Sequence, residues 1–233
     1  MPFQFKQFSI ADDRCAMKIG TDGVLLGAWV NIRGAKTILD IGTGSGLIAL
    51  MLAQRTDSTT KIDAVEIGED DAVQAKENSS NSPWAEKIKI HLCAIQDFHA
   101  DYQYDLIVSN PPYFINSLTP PSAKRKVARH TSSLSYEELL TSAARLLSSY
   151  GRLAVILPLK EGNAFLSLAQ FHGLYCDRQL AFFSRDEKPQ ERWLFEFCRT
   201  PGTLKAERLT LFTHQEWSEP YKKLVSDFYL HPL

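Results

Sequence analysis

Cysteine is scarce and unpatterned. The 233-residue chain holds four, Cys15, Cys93, Cys176 and Cys198, with no C-x-x-C pair. That spacing argues against a zinc site or a disulfide framework and leaves free, buried thiols as the expectation. Histidine is equally uninformative: His91, His99, His172 and His214 have no metal-ligand spacing and are read as surface or packed side chains, so no metal is expected. No apolar run is long enough to span a bilayer, and Met1–Phe8 contains no signal-peptide stretch, so a cytoplasmic protein without a membrane partner is expected. Neither sign of charge prevails, the formal net being -1. The overall balance therefore does not call for a polyanion, although a local basic cluster still suits phosphate. There is no internal repeat and no low-complexity tract.

What the chain does have is alternation. Short apolar runs at Lys36–Ile41, Lys61–Glu66, Lys87–Cys93, Tyr104–Ser109 and Arg152–Leu157 read as strands. Helical patterns at Gly23–Val30, Leu47–Gln54, Asp70–Asn81 and Ser135–Ser149 lie before or between them. Ser135 precedes Tyr136-Glu137-Glu138, the pattern of an N-cap followed by an acidic first turn. Such alternation predicts an α/β fold with a parallel sheet covered on both faces. Leu174–Phe183, Arg192–Arg199 and Arg208–Thr213 read as further strands, and the partial alternation at Arg192–Phe197 suggests an antiparallel edge pair. Trp84 and Trp193 are read as packing residues rather than platforms for a base.

Three motifs carry chemistry. Asp40-Ile41-Gly42-Thr43-Gly44-Ser45-Gly46 falls between a strand and a helix, where glycines allow a tight turn and close approach of backbone to a ligand. Glu66 ends the next strand about twenty residues on, placed to accept hydrogen bonds from ribose hydroxyls. Together they point to an adenosine-type ligand without separating a nicotinamide dinucleotide from S-adenosylmethionine. The separation comes from Asn110-Pro111-Pro112-Tyr113 at the end of Tyr104–Ser109. An amine conjugated to a ring is a poor nucleophile. The Asn110 side-chain oxygen and the Pro111 carbonyl can accept its two hydrogens and hold it in line for attack. Adjacent prolines, Pro111 and Pro112, fix φ and remove donors, and Tyr113 can stack on a flat substrate. Asn110 is also read as touching the cofactor.

With these motifs, the chain resembles the class I S-adenosylmethionine-dependent methyltransferases of the N6-adenine and N5-glutamine type. It is most similar to the bacterial tRNA(Val) adenine-37 N6-methyltransferase family. That closer resemblance rests on Phe5–Phe8, Asp13–Lys18, Gly20–Gly23, Leu25–Trp29, Ser82–Glu86, Trp217–Glu219 and Phe228–Leu230. It implies a Rossmann-like, seven-stranded, mostly parallel sheet whose last strand is antiparallel. It also implies that Asp40, Gly42, Gly44 and Gly46 line the methionine end of the cofactor and that Glu66 binds ribose. The Lys18–Asp22 segment, with Lys18, Gly20 and Thr21, would close over the cofactor. Many relatives carry an acidic residue just after the third strand. Here that position is Ala94, which leaves the cofactor adenine to Asp97 or to backbone groups at Ile95. The chain divides into a capping segment (1–34), a cofactor-binding core (35–160) and a sheet-completing part (161–233) of one methyltransferase domain.

The expected substrate is tRNA, held at the anticodon region by a monomeric enzyme. Lys124, Arg125 and Lys126, with Arg129, form the densest basic cluster, in the long segment Asn116–Ser133 that follows the asparagine motif. Tyr113 or Phe114 offers the stacking platform. Arg178, Arg185, Lys188, Arg192 and Arg199 read as scattered charge. Protein glutamine N5-methylation can use the same asparagine motif, but the chain shows no separate helical substrate domain before it. A non-catalytic module is opposed by the intact motifs, and a dehydrogenase by Asn110–Tyr113.

Overall fold

The computed structural model describes residues 2–112 and 134–230. A short hairpin comes first, β1 (Phe3–Gln4) and β2 (Ser9–Ile10), then helix α1 (Thr21–Trp29). The alternating region follows as β3 (Thr37–Ile41), α2 (Leu47–Arg55), β4 (Lys61–Glu66), α3 (Glu69–Ser80), β5 (Ile88–Leu92) and β6 (Tyr104–Ser109). After the gap come α4 (Tyr136–Leu146), β7 (Leu147–Pro158), α5 (Leu159–Phe171), β8 (Tyr175–Arg185) and β9 (Arg192–Cys198). The chain closes with β10 (Lys205–Thr213), β11 (Glu216–Trp217) and α6 (Glu219–Val225).

The main sheet runs β11-β10-β8-β9-β7-β6-β3-β4-β5. The expected seven strands are β5-β4-β3-β6-β7-β9-β8, and β9 is antiparallel to both its neighbours. Two results differ from the sequence reading. The sheet has nine strands, because β10 adds parallel to β8 and β11 folds back on β10. Strand β9 is not at an edge but sits between β7 and β8. Phe195 and Phe197 on one face and Leu194 on the other are all fully buried, so both faces of β9 are covered, as an interior strand requires.

Helices cover both faces. On one, the N-terminal hairpin, α1, α2 and α6 pack through Phe8, Leu25, Leu50 and Tyr221; on the other, α4 and α5 pack through Leu139, Ala143 and Phe165. Helix α1 lies close against α2: a Cβ on Gly27 would stand 2.7 Å from the Met51 sulfur. Helix α4 begins as read, with a complete capping box between Ser135 and Glu138. It ends at Leu146, short of the expected Ser149, because Leu147 already pairs with Tyr104 in the sheet. The chain ends meet where Phe5 bridges Tyr229 and stacks on Phe8, 4.7 Å between ring centroids. Trp84 packs edge-on to Phe8, and Trp193 stacks on Phe195 while its indole N–H donates to Asn163. All four cysteines are free; Cys15 alone is buried and the others are half-buried, a partial departure from the expectation.

The N-terminal helix is tied to the late strands by polar contacts. The Trp29 indole donates to Glu207 at 3.0 Å, with the Arg178 guanidinium 4.1 Å over its ring. Arg178 also meets Glu207 through Nε at 2.6 Å. Arg199 donates to the carbonyls of Ala144, Leu147 and Ser148. Much of what read as scattered charge thus holds elements together.

Asp63 anchors a second polar cluster. The Tyr104 hydroxyl donates to it at 2.8 Å, and Tyr102 and His91 each lie 2.5 Å from its oxygens. Burial pushes its carboxyl upward, but bonds from Tyr102, His91 and Tyr104 outweigh that and hold it below the ordinary range. Because Tyr104 is fully buried, Asp63→Ala should cost about 3 kcal/mol of stability by leaving that hydroxyl without an acceptor. Urea unfolding checks this, and a loss under 1 kcal/mol would show the cluster to be incidental.

Candidate active site

The motifs converge because parallel strands present their carboxyl ends along one edge, where open α/β sheets bind ligands. Asp40–Gly46 follows β3, Glu66 ends β4 and Asn110 follows β6. Gly42, Gly44 and Gly46 have φ of 70, 55 and 85°, a region L side chains rarely enter. Among the described residues, a Cβ on Gly42 or Gly44 would meet no atom within 4 Å. Conformation, not crowding, calls for glycine at these two positions.

Two carboxylates shape the loop. Asp40 is fully buried beneath it; its Oδ2 accepts from the Thr43 hydroxyl at 2.6 Å and the Ala49 N–H at 3.2 Å. Its Oδ1 has no partner among the described residues. Burial pushes the carboxyl up to about 7, against the opposing bonds from Thr43 and Ala49. Glu66 accepts from three backbone N–H groups, Gly44 at 2.9 Å, Ile67 at 2.8 Å and Gly68 at 2.9 Å. It locks the glycine loop to the turn before α3, and a carboxylate retains further acceptor positions for hydroxyls.

A cleft of about 380 Å³ opens on this edge. Of the anticipated site residues, Lys18, Gly20, Thr21, Gly42, Gly44 and Asn110 line it together. The Lys18 ammonium is engaged with the carbonyls of Asp12, Asp13 and Cys15 and so fastens its own segment. Asp40, Gly46, Glu66, Ile95 and Asp97 are not among the lining residues. Asp40 acts from below, and a Cβ on Gly46 would stand 3.5 Å from Ala75 of α3. Ile95 is buried with its carbonyl taken by Arg145, while Asp97 is exposed. Pro111 is buried and Pro112 half-buried beside Asn110. Tyr113, Phe114, Lys124, Arg125, Lys126 and Arg129 lie outside the described residues.

The cleft also recruits residues that the sequence did not assign to it, Met17, Phe182, Ser184, Arg192 and Leu211, and Asp22, from the segment expected to close over the cofactor, lines it with them. The Arg192 Nε donates to Asp22 at 2.9 Å, joining α1 to the start of β9. Arg192 had passed as scattered charge. Strand alternation tells which face a side chain takes, but not that β8 and β10 reach the cleft.

The arrangement fits S-adenosylmethionine. The glycine loop gives close backbone approach, the Asp40 and Glu66 carboxyls stand beneath and beside that loop, and Asn110 stands at the same opening. Among the described residues no His, Cys, Asp and Glu group has metal-binding geometry, and no helix is long and apolar enough to cross a membrane.

Comparison with known proteins agrees. Residues 17–173 match the family model described as methyltransferase small domain. A protein of Tolumonas auensis called tRNA1(Val) (adenine(37)-N6)-methyltransferase is 47% identical, covering 98% of this chain and 96% of its own. A protein of the same description from Bacteroides thetaiotaomicron is 45% identical, with 98% and 97% covered. Among solved structures, a predicted O-methyltransferase of Agrobacterium tumefaciens superposes with a TM-score of 0.66 at 16% identity, covering 89% of this chain and 96% of that one. That likeness establishes the class I methyltransferase fold. Motifs, sheet order and near-full-length identity agree, and the chain belongs to the tRNA1(Val) (adenine(37)-N6)-methyltransferase family.

Proposed function

We propose that this protein transfers a methyl group from S-adenosylmethionine to the exocyclic N6 of adenine at position 37 of a valine tRNA. The observation that carries the reading is Asn110 lining one cleft with Gly42 and Gly44. Acceptor chemistry and cofactor loop thus share an opening, within a chain whose relatives bear that activity in their names.

S-adenosylmethionine, when bound, supplies an electrophilic methyl on a sulfonium. Gly42, Gly44 and the Met17–Gly23 segment hold it, with Glu66 serving the ribose and Ile95 or Asp97 the adenine. Asn110 and the Pro111 carbonyl accept the two amine hydrogens and draw the nitrogen toward an electron-rich, pyramidal geometry. No general base is required, because the methylated ammonium loses its proton to water. Tyr113 and Phe114 provide stacking, and Lys124, Arg125, Lys126 and Arg129 track phosphates of the anticodon stem-loop. The protein works as a cytoplasmic monomer, with 1–34, 35–160 and 161–233 forming one catalytic unit.

The test is methyl transfer from labelled S-adenosylmethionine to total tRNA, followed by nucleoside analysis. Label in N6-methyladenosine is expected. Label only in protein would move the assignment to glutamine methylation. For the basic cluster, the variant with Lys124→Ala and Arg125→Ala should bind tRNA more weakly and lower the slope of log affinity against log salt by about 1.5. An unchanged slope across a salt series removes the cluster from the interface.

A further inference from the structure

We infer that the late strands form the wall that receives the target base, through Phe182, Ser184, Arg192 and Leu211. The inference rests on the adenine-methylating reading above and deepens it.

The cleft is lined from two parts of the chain, and β6, which ends just before Asn110, lies between them in the sheet order. One side is built by the glycine loop and the Met17–Gly23 segment, the other by β8, the start of β9 and β10. With the cofactor on the glycine side, as proposed, a nitrogen held at Asn110 would, among the described residues, direct its ring toward the strand side. The register makes that side one surface. Phe182 pairs with Arg192 and with Leu209, which places Ser184 and Leu211, each two residues further, on the same face.

The chemistry of the surface suits a flat heterocycle. Phe182, 3% exposed, and half-buried Leu211 supply an apolar face. Half-buried Ser184 puts a hydroxyl among them. Arg192 is fixed by its bond to Asp22 and by donation to the Glu191 carbonyl at 3.1 Å. With its charge matched by Asp22, this guanidinium suits planar stacking on a base more than capture of a phosphate. These four residues also lie beyond residues 17–173, which match the general methyltransferase model. Shared chemistry occupies the shared segment, and the acceptor wall lies outside it, free to select its base.

The test uses the whole protein and an anticodon stem-loop RNA carrying 2-aminopurine at the target position, whose fluorescence rises on unstacking. With wild type, addition of protein should raise the signal. Ser184→Trp fills the wall. It should still bind the RNA and S-adenosylmethionine, within about twofold for the cofactor, while the fluorescence rise is lost and kcat/KM for tRNA falls at least about tenfold, a loss of roughly 1.4 kcal/mol. Should that variant fail to fold, Leu211→Ala at its half-buried position carries the same expectation with a smaller loss. A variant that keeps both the fluorescence rise and a kcat/KM within twofold of wild type overturns the inference. A wild type that methylates no tRNA overturns the proposed function instead, and the two failures are told apart by assaying wild type first.

Discussion

Asn110→Ala is expected to lower the single-turnover rate of methyl transfer to tRNA by about a thousandfold, while S-adenosylmethionine affinity changes no more than severalfold. The adenine amine reacts only when its lone pair is withdrawn from the ring, and the acceptors doing this matter most in the transition state. Loss of one such preorganised group costs on the order of 3–4 kcal/mol. On the proposed function the cofactor is held chiefly elsewhere, by the glycine loop and the Met17–Gly23 segment that lines the cleft. Rate and affinity should therefore separate. A variant that retains more than about a tenth of the wild-type rate would show that Asn110 is not a principal acceptor, and the Pro111 carbonyl would have to carry the chemistry.

Asp40→Asn is expected to stabilise the ligand-free protein at neutral pH and to weaken its hold on the cofactor. Burial raises the Asp40 carboxyl from 3.8 to about 7. The folded protein therefore keeps this proton over a range where the unfolded chain has lost it. Stability from this group is full below the unfolded value, falls as pH rises from about 4 to about 7 and is flat above that. The loss across that window is about 4 kcal/mol. Asparagine keeps an oxygen for Thr43 and Ala49 and does not titrate. The difference in unfolding free energy between variant and wild type should grow from near zero at pH 4 to that order at pH 7.5, with other titrations cancelling in the difference. Urea unfolding at several pH values measures it, and parallel curves would mean that Asp40 does not titrate in this range. The weaker cofactor binding follows because a carboxylate under the loop attracts a sulfonium and an amide does not. An ionisable group kept at a cost to stability is typical of a functional site.

Much of this was legible in the chain itself. Lys61–Glu66 and Tyr104–Ser109 are strands with the expected bounds, since period and turn residues are local properties. Ser135 caps α4 because a hydroxyl and a glutamate three residues later satisfy each other without help from the rest of the fold. The glycine loop and Asn110 are recognisable because their chemistry is written in consecutive residues.

What tertiary structure alone decided is the other half of the site. Whether β9 is an edge or an interior strand depends on which strands flank it, and β10 with β11 extends the sheet past the expected seven. Arg192 and Asp22 are 170 residues apart yet 2.9 Å from each other. Nothing in either neighbourhood encodes that meeting. Asp40 reads as a ligand residue, but the fold buries it and makes it a support for the loop. Sequence fixes local conformation and the identity of reactive groups, because both arise from adjacent residues. Burial, pairing across the sheet and the walls of a cleft depend on packing between distant elements, and only the folded chain sets them.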